Sequence, residues 1–416
     1  MAGQRRATQR LPLLGVLCLL AGGCAGILRL EAPPAEVTPE LSVLGIANAR
    51  FWPDGAPDAL LREAAQAAGR AAATLATEAP VARRGVVPRP ATLPPAHFLA
   101  LSGGGDNGAF GAGLMVGWTE SGTRPVFGVV TGISAGALIA PFAFLGPDYD
   151  DELRELFTAV SPGDLLRHNT RVIALLFGEA LVDTTPLYRL IQRHADEAML
   201  AAIAREYARG RLLLIGTTNL DLKRPVVWNI GAIAASGHPG ALELFRRILL
   251  ASASIPGAFP PVLVDVEHGG RAFQEMHVDG GAATQVFFAP PQLNLRDTVR
   301  QRVGDRRRIV HVVRNGWIDA EASDVTRGLF SIATRSLSTL LHFSGIGDIN
   351  RIQLIAERDG MEFRLAYIGA DFQAPRREPF DPAFMRALFD YGHARGRGGE
   401  AWAATLPPVG TFVAPR

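Results

Sequence analysis

The chain has 416 residues, 48% apolar and 20% charged, which suits two or three globular domains with a sizeable buried core. Its 42 basic and 40 acidic residues leave a formal charge of +2, which excludes a nucleic-acid binder working through a strong basic field. Lys223 is the only lysine, and the arginines are spread along the chain rather than gathered in one stripe.

Arg5, Arg6 and Arg10 precede the apolar run Leu11–Leu20, which leads into Ala21-Gly22-Gly23-Cys24. A charged start, a short apolar run and small residues form a secretory leader. The run is too short for a membrane span, which needs about 20 residues. The leader resembles a bacterial lipoprotein signal over residues 1–23, with Cys24 as the lipidated first residue after cleavage. Ala21 departs from the larger aliphatic such signals prefer, and the plainer alternative is a leader cut beside Ala21 or Gly23. The lipoprotein reading implies a cell-envelope protein on a lipid anchor, and Ala25, which is not an acid, favours the outer membrane. Cys18 would leave with the leader and Cys24 would be capped, so no internal disulfide is expected.

Residues 24–95 read as a tether and helical collar. Pro33, Pro34 and Pro39 extend the first stretch, residues 57–78 are alanine-rich and suit a helix, and Pro80, Pro88, Pro90, Pro94 and Pro95 form a second spacer. No later apolar run approaches the length of a span.

His97–Leu101 is a short apolar run that enters Ser102-Gly103-Gly104-Gly105-Asp106-Asn107-Gly108, after which Ala109–Trp118 has helical spacing. A strand, a glycine turn and a helix together aim free backbone N–H groups at an anion. Gly103, Gly105 and Gly108 satisfy the dinucleotide spacing. The next strand, Val126–Val130, nevertheless ends in Thr131-Gly132, without the acid that would hold a ribose. The other anion is the transient oxyanion of acyl transfer.

That second strand runs into Gly132-Ile133-Ser134-Ala135-Gly136 and an apolar helix through Phe144. Gly132-x-Ser134-x-Gly136 between strand and helix is a nucleophile elbow. One helix and one strand separate it from the glycine turn. A single crossover between adjacent parallel strands puts both turns at the same carboxyl edge of the sheet.

A serine nucleophile needs a base. His311 starts an apolar strand and His342 lies in the amphipathic stretch 325–345, so each has an ordinary structural reading, though Ser134, Asp279 and either histidine would suit a triad. Asp279 follows the short strand Met276–Val278 and opens Asp279-Gly280-Gly281-Ala282, which makes it the better candidate.

The ordered set Gly103–Gly108, Gly132–Gly136 and Asp279–Gly281 resembles the patatin-like phospholipase family, as do Gly216–Leu220, Arg224–Val227 and Ala251–Pro260. The resemblance implies a three-layer α/β/α sandwich with a mainly parallel central sheet. It also implies a Ser–Asp dyad acting on phospholipid or other acyl-lipid esters, with no metal, cofactor or nucleic acid. Carried over, Ser134 is the nucleophile and Asp279 its base, with the oxyanion hole at Gly103, Gly104 and Gly105. Gly108, Gly132, Gly136, Gly280 and Gly281 are motif glycines. Asn107 stands where the family has a basic residue.

The resemblance places the catalytic core at 96–295, and 296–405 completes the same domain through strands Ile309–Val313 and Phe363–Ile368 and helix Pro382–His393. Val172–Phe177, within 146–210, is expected as a buried helix or an acyl-chain wall. The competing readings are a Ser-His-Asp esterase and a lipid-binding envelope lipoprotein that is not catalytic.

Overall fold

The computed structural model describes residues 29–55, 58–78, 94–159, 163, 167–168, 182–292, 306–319 and 324–408. The leader, Cys24 and Val172–Phe177 lie outside the described residues.

Among the described residues the core is a nine-stranded sheet. Its strands are β1 (Arg50–Phe51), β2 (Ala96–Leu101), β3 (Phe127–Ile133), β4 (Leu212–Asn219), β5 (Arg224–Asn229), β6 (Val262–His268), β7 (Arg271–Asp279), β8 (Arg308–Arg314) and β9 (Glu362–Tyr367). The spatial order is β1-β5-β4-β3-β2-β8-β9, and β4-β3-β2-β8-β9 are mutually parallel. β1, β5 and the hairpin β6–β7 pair antiparallel. All eight residues of β4 and all seven of β8 are buried, as strands covered on both faces must be.

Alternate side chains feed two different faces. Leu99, Leu101, Leu213 and Ile215 join one large cluster with the helices α2 (Gly108–Glu120), α3 (Ala135–Leu145), α4 (Asp150–Thr158), α5 (Thr185–His194), α6 (Glu197–Ala208), α7 (Ile230–Ala235), α8 (Ala241–Ser252) and α10 (Pro382–Gly398). On the other face Ala100, Val310 and Val312 meet α9 (Leu329–Arg358), and Leu212 and Leu214 meet α1 (Asp58–Glu78). The result is helices on both sides of a mostly parallel sheet, as expected.

The segment expected as a tether does more than link. Arg50 and Phe51 pair with Trp228 and Val227 at the sheet edge, and Ser42 bridges Glu267. Arg50 forms a buried ion pair with Glu275 of β7. Burial alone would raise the Glu275 carboxyl, but the His277 hydrogen bond and Arg50 outweigh it and hold it down to about 2. The helix expected over 57–78 is α1, and Gly210 approaches its backbone so closely that a Cβ there would lie 2.3 Å from the Ala67 carbonyl oxygen.

Candidate active site

Ser134 stands between the end of β3 and the start of α3 with φ 54° and ψ −124°, a region that side chains other than glycine rarely enter. Packing imposes it. A Cβ at Gly132 would lie 2.5 Å from the Gly136 carbonyl oxygen, and one at Gly136 would lie 2.4 Å from that of Leu101. The Ser134 N–H donates to Ser252 Oγ at 3.0 Å, and that hydroxyl donates to the Gly216 carbonyl at 2.7 Å. The strain is therefore held from α8 and β4, as an over-determined turn requires.

Asp279 reaches the same point from the opposite direction, and the register of β4 explains why. Parallel β3 pairs with β4 up to Ile133 opposite Gly216 and then stops. Antiparallel β7 takes over the same side of β4 one residue further on, with Asp279 opposite Thr217. The residue that follows β3 and the residue that ends β7 thus meet end to end. The Ser134 side chain is near enough to the Asp279 carboxyl to favour its ionised form. Asp279 Oδ1 also accepts the Gly281 N–H at 2.7 Å, and its own N–H donates to the Ser254 carbonyl at 2.9 Å. Burial pushes the Asp279 carboxyl up to about 7, while the nearby Ser134 side chain and the Gly281 N–H pull the other way.

The two histidines weighed as alternatives lie elsewhere. His311 sits inside β8 opposite Leu99 and Arg364, among the rings of His97, Trp118 and Trp402. Burial holds it well below the usual imidazole range. His342 is on α9. His277, two residues before Asp279, is turned to Thr217 (3.0 Å) and Glu275 (3.2 Å).

The glycine turn leaves β2 beside the elbow: a Cβ at Gly103 would lie 3.2 Å from that of Ser134. The three glycines are not equivalent. The Gly103 N–H is spent on the Gln285 carbonyl at 3.0 Å. The N–H groups of Gly104 and Gly105 have no partner among the described residues, and Gly105 adopts φ +58°. The candidate anion donors of the loop are therefore Gly104 and Gly105, and Gly103 joins the loop to the turn after Asp279.

Asn315, directly after β8, fastens the loop from its other side. Its N–H donates to Ser102 Oγ (2.8 Å), its Nδ2 donates to the Ser102 carbonyl (2.8 Å), and its Oδ1 accepts the Gly111 N–H (3.1 Å). Ser252, Gln285 and Asn315 were not singled out from the sequence, because each acts through contacts far along the chain. Asn107 fills the position of the missing basic residue, and its Oδ1 is buried without a partner among the described residues. A guanidinium nevertheless stands beside the loop. Arg376 pairs with buried Asp106 at 2.9 Å, and the Phe380 N–H donates to the same carboxylate at 3.0 Å.

Next to Ser134 is an apolar cavity of about 60 Å³ walled by Leu138, Leu156, Leu187, Leu190, Phe259 and Phe380. Larger cavities of about 200 and 540 Å³ occur elsewhere and are not lined by Ser134. A hydroxyl on a strained turn, a buried carboxyl, unpaired amides and an apolar recess suffice chemically for acyl transfer.

Residues 99–290 match the patatin-like phospholipase family. Among solved structures the chain is similar to VipD from Legionella pneumophila, at 11% identity over 74% of this chain and 68% of that one, with a TM-score of 0.35. It is also similar to human GIVD cytosolic phospholipase A2, at 12% identity over 84% of this chain and 67% of that one, with a TM-score of 0.37. No curated protein matches the chain.

Proposed function

We propose that the patatin-like phospholipase domain formed by residues 99–290 hydrolyses acyl-lipid esters through Ser134 and Asp279, without a histidine. The observation that carries this reading is the register along β4, which stops β3 at Ile133 opposite Gly216 and ends β7 at Asp279 opposite Thr217, and so brings the Ser134 turn to the buried Asp279 carboxyl. Asp279, ionised above about pH 7, takes the hydroxyl proton as Ser134 Oγ bonds to the ester carbonyl carbon. The amides of Gly104 and Gly105 receive the charge on the carbonyl oxygen. Collapse breaks the bond to the leaving alkoxide, which takes the proton back from Asp279. Water then attacks the acyl-serine and gives its proton to Asp279, releasing the acid and restoring the hydroxyl. Preorganised donors of this kind are worth about 2.7–4 kcal/mol each, which offsets the modest basicity of a carboxylate.

The direct test is covalent labelling by a fluorophosphonate, together with turnover of defined phospholipids. Wild type should label at Ser134, and Ser134→Ala should lose both label and turnover. Unlabelled wild-type protein would favour the non-catalytic lipid binder, and loss of turnover in His311→Ala or His342→Ala would favour a histidine triad. The leader sequence supports extending the proposal to an envelope protein anchored through Cys24. Radiolabelled palmitate should enter the wild type and be absent from Cys24→Ala.

A further inference from the structure

The helix α9 has two halves of opposite character. From Gly345 onward it lies against the sheet, with Ile346, Ile349, Ile352 and Ile355 buried on it, and Gly345 itself sits beside the Arg314 guanidinium at the carboxyl end of β8. No described side chain from 331 to 344 is buried. β8 and β9 are parallel neighbours joined through α9, so the helix begins at the carboxyl edge of the sheet, the edge that carries Ser134 and the glycine loop. Its first 16 residues, Leu329–Ser344, amount to about 24 Å of helix standing beyond that edge.

This arm is amphipathic with its faces reversed. Leu329, Ile332, Leu340 and Phe343 share one face, and they are 89%, 50%, 68% and 53% exposed. Ser331, Arg335, Ser338 and His342 share the opposite face, and of these Ser331, Arg335 and His342 are partly covered. An amphipathic helix packed on its own protein buries the apolar face instead. From Val325 to Gly347 there are two arginines, Arg327 and Arg335, and no acidic residue. The arm itself carries no carboxylate and the exposed Arg327 flanks its start, so its outward apolar face complements an anionic headgroup layer above acyl chains. Among the described residues no helix is long and apolar enough to cross a membrane, so the fit is to a helix lying in the interface.

We infer that the arm Leu329–Ser344 docks the protein on an anionic lipid surface and sets the Ser134 edge against it. The inference rests in part on the lipid-hydrolase reading, but its test does not need catalysis. In a full-length Cys24→Ser, Ser134→Ala background, neither acylation nor hydrolysis intervenes. Sedimentation with vesicles of equal parts phosphatidylglycerol and phosphatidylcholine should then show binding. Adding Leu329→Ser, Leu340→Ser and Phe343→Ser should weaken it by at least about tenfold. With Ser134 intact, the same triple change should leave turnover of a soluble short-chain ester unaltered and slow turnover of vesicle phospholipid. Absent vesicle binding, or binding unchanged by the triple substitution, overturns the inference. So does a parent dimer that the triple change converts to monomer without altering vesicle binding, because a second copy would then be the occupant. An enzyme inert toward every ester would sink the hydrolase reading and leave the vesicle result standing.

Discussion

On the proposed mechanism Asp279 links acidity, catalysis and stability in one carboxyl. With burial holding it at about 7, it is protonated and unable to act as base in mildly acid solution. The pH profile of kcat/KM should therefore rise through about 7 rather than near 4, the range of an ordinary aspartate. The same shift has a signed effect on folding. A carboxyl whose folded value is raised contributes stability that is complete below its unfolded value near 3.8 and is lost as pH rises through about 7. Asp279→Asn, which never ionises, should thus raise the melting temperature more at pH 8 than at pH 5 while lowering kcat by at least about a thousandfold. Equal gains at both pH values would remove burial as the cause of the shift.

Two helices meet with almost no space between their backbones. In α2, a Cβ at Gly113 would lie 2.0 Å from the Phe389 carbonyl oxygen, and one at Gly117 equally close to that of His393. In α10, Gly392 and Gly396 face Phe110 and Leu114 in the same way. A glycine inside a helix costs about 1 kcal/mol relative to alanine, and the close approach offsets it through dispersion contacts. Gly117→Val should force the helices apart and cost about 3 kcal/mol or more, seen as a lower urea midpoint. Because α2 follows directly from the glycine loop, activity should fall with it even in buffer where the variant remains folded.

The whole sheet extends beyond the family match. β8 and β9 lie outside residues 99–290, yet β8 pairs with β2 along its length and is followed by Asn315, which fastens the loop. A fragment of residues 96–292 would expose the β2 edge and should show no cooperative melting by circular dichroism. The N-terminal side contributes as well. Arg50→Ala would leave Glu275 buried without its cation, a loss of about 3–5 kcal/mol in chemical denaturation. If the segment before residue 94 were only a tether, that substitution would be neutral.

The strand-turn-helix units around Gly103–Gly108 and Ser134, and the acid at Asp279, were legible in the sequence because each is a local pattern. A run of apolar residues, a glycine that alone fits a tight turn and a polar group at a strand end leave marks within a few positions. The parallel pairing of β2 with β3 followed from the shortness of the single crossover. What local pattern could not carry was the meeting itself. Ser134 and Asp279 face each other because β3 and β7, running in opposite directions, both end at the same point on one flank of β4, and register is a property of three strands together. Only the fold could show that Gly103 had already given its N–H to Gln285, that Ser252 and Asn315 hold the two turns, and that half of α9 stands away from the core. Contacts between residues distant in sequence decide these things, and no periodicity records them.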